Sequence, residues 1–176
     1  MTQIEKYNQN ILPEFKEIKP ELDNFMKEIG QKPDKKWEKV NPFANNSKYF
    51  EIGYLETQLD RKFSGLWSIH NQQIHFDITG ITVSLELRVF NPVAHVWINR
   101  TGIAHKDFQL SKGQTEINTA NLSKKALERD VPIAAAQAFK NACQKLGNLF
   151  GRHLNRELQA DFQSDENMTK RIFEKE

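Results

Sequence analysis

Between Pro132 and Arg156 the sequence PIAAAQAFKNACQKLGNLFGRHLNR spaces Gln137, Lys140, Asn141, Gln144, Asn148 and Arg152 along one helical stripe, with no acidic residue among them. Cations set among amides are suited to neutralising an anionic polymer. Earlier in the chain Arg88 and Arg100 stand in strand-like runs beside Trp67, Phe90 and Trp97. Charge of that kind can hold a single-stranded backbone while flat rings receive bases or leave them to solvent. Each feature also has a plain structural role, as a solvated helix face or as aromatic core.

Other chemistry lacks its residues. His70, His75, His95, His105 and His153 are dispersed, and His70 and His75, five apart on one strand, are expected on opposite faces. The spacing Gly147-Asn-Leu-Phe-Gly151 reads as small residues on a helix that permit close packing, and it lacks the Lys-Ser/Thr of a phosphate-cradling loop. Asp77, Glu86, Asp107, Glu116, Glu128 and Asp130 form no pair of the kind that activates water, and no Ser/His/Asp set carries a nucleophile elbow. Cys143, the single cysteine, has no disulfide partner in the chain and is expected to be buried and inert. The expectation is a binding protein with no catalytic residues, no metal and no cofactor.

Charge is unevenly distributed. From residue 61 to 156 there are 13 Lys and Arg against 6 Asp and Glu, a net of +7, whereas residues 1–60 carry −2 and residues 157–176 carry −3. A basic middle between mildly acidic ends fits a polyanion partner. The 176 residues suffice for one domain with extensions. With no apolar run of membrane-spanning length and no apolar signal segment after MTQIEKYNQN, the expected location is cytoplasmic, with no membrane partner.

The elements that must position these residues follow from periodicity. Phe15, Ile18, Leu22, Phe25, Met26 and Ile29 predict an amphipathic helix between Pro13 and Gly30, in which Pro20 falls in the first turns or splits off a short leading piece. The Pro-, Asn- and Lys-rich run after Gly30 reads as a loop, in which Trp37 and Phe43 either pin it to the domain or offer stacking surfaces. Helical spacing resumes from Tyr49 and stops at Ser64-Gly65. Three strand-like runs follow, at 67–77, 81–90 and 93–107; in the second, Ile81, Val83, Leu85, Leu87 and Val89 share one face. Gly102 in the third predicts a bulge or a close backbone approach. After a polar loop at 108–123 a new helical segment starts at Ser123, and a long helix opens at Pro132 with Ala135, Ala138, Ala142, Leu146 and Leu149 facing the core. The class is α+β: an antiparallel meander of three strands packed on one long helix, a β-β-β-α core, with a helical N-terminal extension. The corresponding divisions are an extension at 1–45, a core domain at 46–156 and a polar tail at 157–176.

The order of entry helix, Trp-containing strand, meander, polar loop and a helix reading A-x-x-x-A-F-K-x-A-x-x-x-L-G-x-x-x-G resembles the Rad fifty-two family of single-strand annealing proteins and its phage and bacterial relatives. The resemblance covers roughly residues 49–154 and is most specific from Ala134 to Gly151, through Ala138, Phe139, Lys140, Ala142, Leu146, Gly147, Asn148 and Gly151. It implies an oligomeric ring or helical filament that lays single-stranded DNA in a basic groove floored by a β-hairpin and the long helix. It further implies annealing of complementary strands without ATP, in recombination or repair, in a bacterial or phage-infected cell. The family's helix lysine falls on Lys140. Asn141 and Gln144 stand where the family tends to be basic, so phosphate contacts are expected to shift to Lys145, Arg152, Arg88, Arg100, Arg61 and Lys62, with Gln144 as a neutral contact. The acidic tail is a candidate dock for a partner such as a single-strand-binding protein. Two other readings stay open: an assembly protein whose helix faces make oligomer contacts, and a duplex-RNA-binding module on a similar element order.

Overall fold

The computed structural model describes residues 13–42, 45–116, 120–123 and 125–155, without the side chains of residues 13–15. The readings made for Phe43, for the Phe15 side chain and for the tail at 157–176 lie outside them. Among the described residues the architecture is α+β, with a three-stranded antiparallel sheet and three helices. In chain order these are α1 (Pro13–Gly30), a small hairpin of β1 (Lys39–Asn41) and β2 (Ser47–Tyr49), α2 (Ile52–Phe63), the meander β3 (Trp67–Phe76), β4 (Gly80–Asn91) and β5 (Val96–Asp107), and α3 (Ala126–Gln144). Among the described residues no helix is long and apolar enough to cross a membrane.

The central strand β4 alternates for the reason its sequence suggests. Ile81, Val83, Leu85, Leu87 and Val89 are buried at 3% exposure or less, while Thr82, Ser84, Glu86, Arg88 and Phe90 on the other face stay partly exposed. The helices gather on the buried side. Ala134, Ala138 and Ala142 of α3 are buried there, and Gly102 of β5 lies directly beneath the helix: a Cβ at Gly102 would collide with the Ala138 carbonyl oxygen and crowd the Ala142 amide. Small residues on both surfaces therefore set how closely helix and sheet approach. Alpha-1 joins the same core through Phe25, edge-to-face with Phe63 of α2 at 5.7 Å, and through Ile29.

Several local expectations need correction, each for a tertiary reason. Tyr49 is in β2, and α2 begins only at Ile52. The run after Gly30 contains the β1–β2 hairpin, which carries no alternation to announce it. Its backbone is held from far away: the Asn155 side chain accepts from the Lys48 amide at 2.8 Å and donates to the Lys48 carbonyl at 2.7 Å. Pro20 lies inside an unbroken α1. Alpha-3 starts at Ala126, so Pro132 is internal. That early start is stabilised by burial of Ala126 and of Asp130, whose carboxylate accepts the Gln109 amide at 3.0 Å, and these contacts outweigh the one helical bond that a proline forfeits.

The long helix also ends early, at Gln144 rather than near Arg156. Gly147 packs so closely on α1 that a Cβ would collide with the Ile29 carbonyl oxygen, which forces the chain to turn. Gly147 and Gly151 thus allow close approach as expected, yet they flank a short 3-10 turn beyond the helix. Finally, β3 pairs with β4 through His70↔Glu86 and His75↔Thr82, with an irregularity between His70 and Gln73 and Asn71 at a φ of 50°. One extra residue reverses the alternation, so both histidines share a face instead of opposing.

Candidate nucleic-acid interface

The polar stripe of α3 borders two clefts. The first, of about 360 Å³, lies between α3 and the β1–β2 hairpin, and its lining includes Lys140, Gln137, Gln144, Tyr49 and Asn155. The Lys140 ammonium sits 4.7 Å from the centre of the Tyr49 ring. Burial holds its pKa below the ordinary lysine value, and the nearby Glu51 charge offsets that only in part. Among the described residues no carboxylate makes an ion pair with it. A cation–π contact of this kind contributes about 0.5–2 kcal/mol.

The second cleft, of about 500 Å³, is lined by Thr101, Ile103, Asn141, Gln144, Lys145 and Arg152. Here cations gather at the end of α3. Arg152 donates to the carbonyls of Gln144 at 3.4 Å and Lys145 at 2.9 Å, and Arg100 donates to the Lys145 carbonyl at 3.3 Å. These bonds satisfy carbonyls that the helix leaves open, at the end where cations are worth about 0.3–1 kcal/mol each. Arg100 also donates to the Asn99 carbonyl at 3.0 Å. Lys145 and Asn141 have another duty: Lys145 Nζ donates to the Thr101 carbonyl at 2.6 Å and Asn141 Nδ2 to the Ile103 carbonyl at 2.8 Å. One helix turn thereby covers the free edge of β5.

The predicted residues are therefore divided. Lys140 and Gln144 share the first cleft; Gln144, Lys145 and Arg152 line the second, with Arg100 joined through the Lys145 carbonyl. Arg61 and Lys62 lie instead in the last turn of α2, where Lys62 is paired with Glu28 at 2.7 Å. Arg88 is on the opposite face of the sheet from α3, its guanidinium carbon 4.6 Å from the Trp97 ring centre. Of the aromatic residues, Trp67 packs on Phe139 and donates its indole N–H to Asp60 at 2.7 Å, whereas Phe90 and Trp97 stand on the outer face. Trp37 lies against Tyr54 with ring centres 5.4 Å apart.

Tyr49 and Asn155 carry no sequence signal as site residues, and Gln137 is legible only as a member of the stripe. Gln137 lay in the stripe without a charge to single it out, Tyr49 was assigned to a helix, and Asn155 gives no local signal of a partner more than a hundred positions away. Burial pushes the Cys143 thiol well above its ordinary range, in keeping with an unreactive core group. Comparison with protein-family models and with curated proteins gives no match to this chain.

Proposed function

We propose that the protein binds single-stranded DNA along the polar side of α3 and anneals complementary strands without ATP or another cofactor, as an oligomeric ring or filament. The observation that carries this reading is the position of Gln144, which lines both clefts and so joins Lys140 to the Lys145–Arg152–Arg100 group in one path, with no carboxylate among the described residues that line the two clefts. The cleft that holds Lys140 has the β1–β2 hairpin on one side and the long helix on the other. The chemistry required is modest. Cations neutralise phosphate, amides bond to the backbone or bases, and base pairing supplies the driving force.

Oligomerisation would repeat weak contacts along a strand. A candidate subunit contact is β3, an edge strand without a charged residue, whose helix-side residues Ile69, Ile74 and Phe76 are exposed by 43%, 39% and 59%. Such an edge is a ready site for another chain.

With four cations engaged, the slope of log affinity against log salt should be about −2.8, so binding should fall roughly 50-fold between about 50 and 200 mM salt. Competition among single-stranded DNA, duplex DNA and duplex RNA at those two concentrations tests the assignment. Preference for the single strand, with weakening in Lys140→Ala and Arg152→Ala, is expected. Indifference to single strands at low salt would overturn it, and preference for duplex RNA would replace it with the RNA-binding reading.

A further inference from the structure

The outer face of the sheet carries a second constellation. Phe90 and Trp97 are paired directly across β4 and β5, edge-to-face at 5.3 Å, and Arg88 stacks on Trp97 from the diagonal position. A cross-strand aromatic pair closing a hairpin has an ordinary structural use, worth up to about 1 kcal/mol. That use leaves three features without a purpose. Trp97 remains 46% exposed, the Arg88 Nε is buried with no hydrogen-bond partner among the described residues, and Asn99, opposite Arg88 in register, presents an exposed side chain. No acid competes for Arg88 among the described residues; the nearest carboxylate along β4 on that face, Glu86, accepts from Asn71 at 2.8 Å.

We infer that this face is a second nucleic-acid site, which receives an unpaired base of a single strand on Trp97, with Arg88 directed to its phosphate and Asn99 to a base edge. A half-exposed indole backed by a guanidinium binds any flat base with little sequence preference, and a guanidinium pairs well with phosphate. The site shares its ligand class with the proposed function but rests on different residues, on the opposite side of the sheet from Lys140. An annealing protein must handle two strands. A stacking face separate from the phosphate-binding path supplies a place for the second.

The test separates base from backbone. Oligothymidylate and an abasic deoxyribose-phosphate oligomer of equal length are titrated against the full chain and its Trp97→Leu, Arg88→Lys and Lys140→Ala variants, each checked for an unchanged circular dichroism spectrum. Trp97→Leu should weaken oligothymidylate binding roughly 5- to 150-fold per stacked base and abasic binding not at all, and should abolish the quenching of protein fluorescence by oligothymidylate. Arg88→Lys, which keeps the charge that meets the phosphate but removes the guanidinium plane behind Trp97, should show a smaller loss on oligothymidylate than Trp97→Leu. Lys140→Ala should weaken both ligands alike, and if it does not, the α3 reading fails while this one stands. Oligothymidylate affinity and quenching unchanged in Trp97→Leu, or equal loss on the abasic oligomer, would overturn the inference.

Discussion

Lys140 and Asp77 show how single residues here respond to pH in opposite senses. The folded-state pKa of Lys140 lies below its ordinary 10.5, chiefly through burial. Its positive charge, and whatever it contributes to binding a polyanion, is present below that lowered value and is lost as pH rises through it. The folded chain also binds fewer protons than the unfolded chain between the two values, so stability rises with pH in that window. Affinity for single-stranded DNA should therefore decline at a lower pH in the wild type than in Lys140→Arg, which binding titrations from neutral to alkaline pH will resolve. Asp77 is the reverse case. Its carboxylate accepts from the Thr79 hydroxyl and the Thr79 and Gly80 amides at 2.6–2.8 Å, which lowers its pKa from 3.8. That stabilisation of the β3–β4 turn is fully present above the unfolded value and disappears as pH falls through the folded one. The thermal midpoint of the wild type should exceed that of Asp77→Asn at neutral pH, and the gap should vanish well below pH 3.8.

Among the elements, α3 and β5 depend most on each other. Gly102→Val would drive a side chain into the Ala138 carbonyl, and overpacking of this kind costs about 1–3 kcal/mol, which denaturant titration would detect as a lower midpoint. The amide and ammonium laid over the β5 carbonyls lead to a different expectation. Asn141→Ala with Lys145→Ala should leave the fold in place but uncover the Thr101 and Ile103 carbonyls, and light scattering should show more self-association than in the wild type. Legibility in the sequence follows the same mechanics. Beta-4 was readable because helices bury one face and leave the other to solvent, so its residues had to alternate. Beta-3 read loosely because it is an edge with little buried on either face and carries a bulge that reverses its parity. The ends of α3 were misread because Asp130, Ile29 and two arginines fix them, and none of these acts through local periodicity. The basic stripe was legible as a pattern, whereas its division into two clefts required the hairpin that the sequence did not announce.

At the scale of the molecule, the basic middle of the chain does not form one patch among the described residues. Its arginines and lysines are distributed over the α3 side, the end of α2 and the outer face of the sheet, and part of that charge is used internally on helix carbonyls and on Glu28. Net charge therefore overstates what is presented to a polyanion, and the salt slope should follow the few cations in the clefts. The chain also closes on itself through Asn155, whose two bonds to Lys48 span 107 positions. Both bonds are exposed and hold a hairpin of only two short strands, so that contact is expected to open earlier than the core beneath it. Amide exchange at Lys48 should accordingly be much faster than at Leu85 or Leu87 in the central strand. The wall of the Lys140 cleft would then breathe while its floor stays shut, which gives a long polymer a way to enter from the side without threading an end.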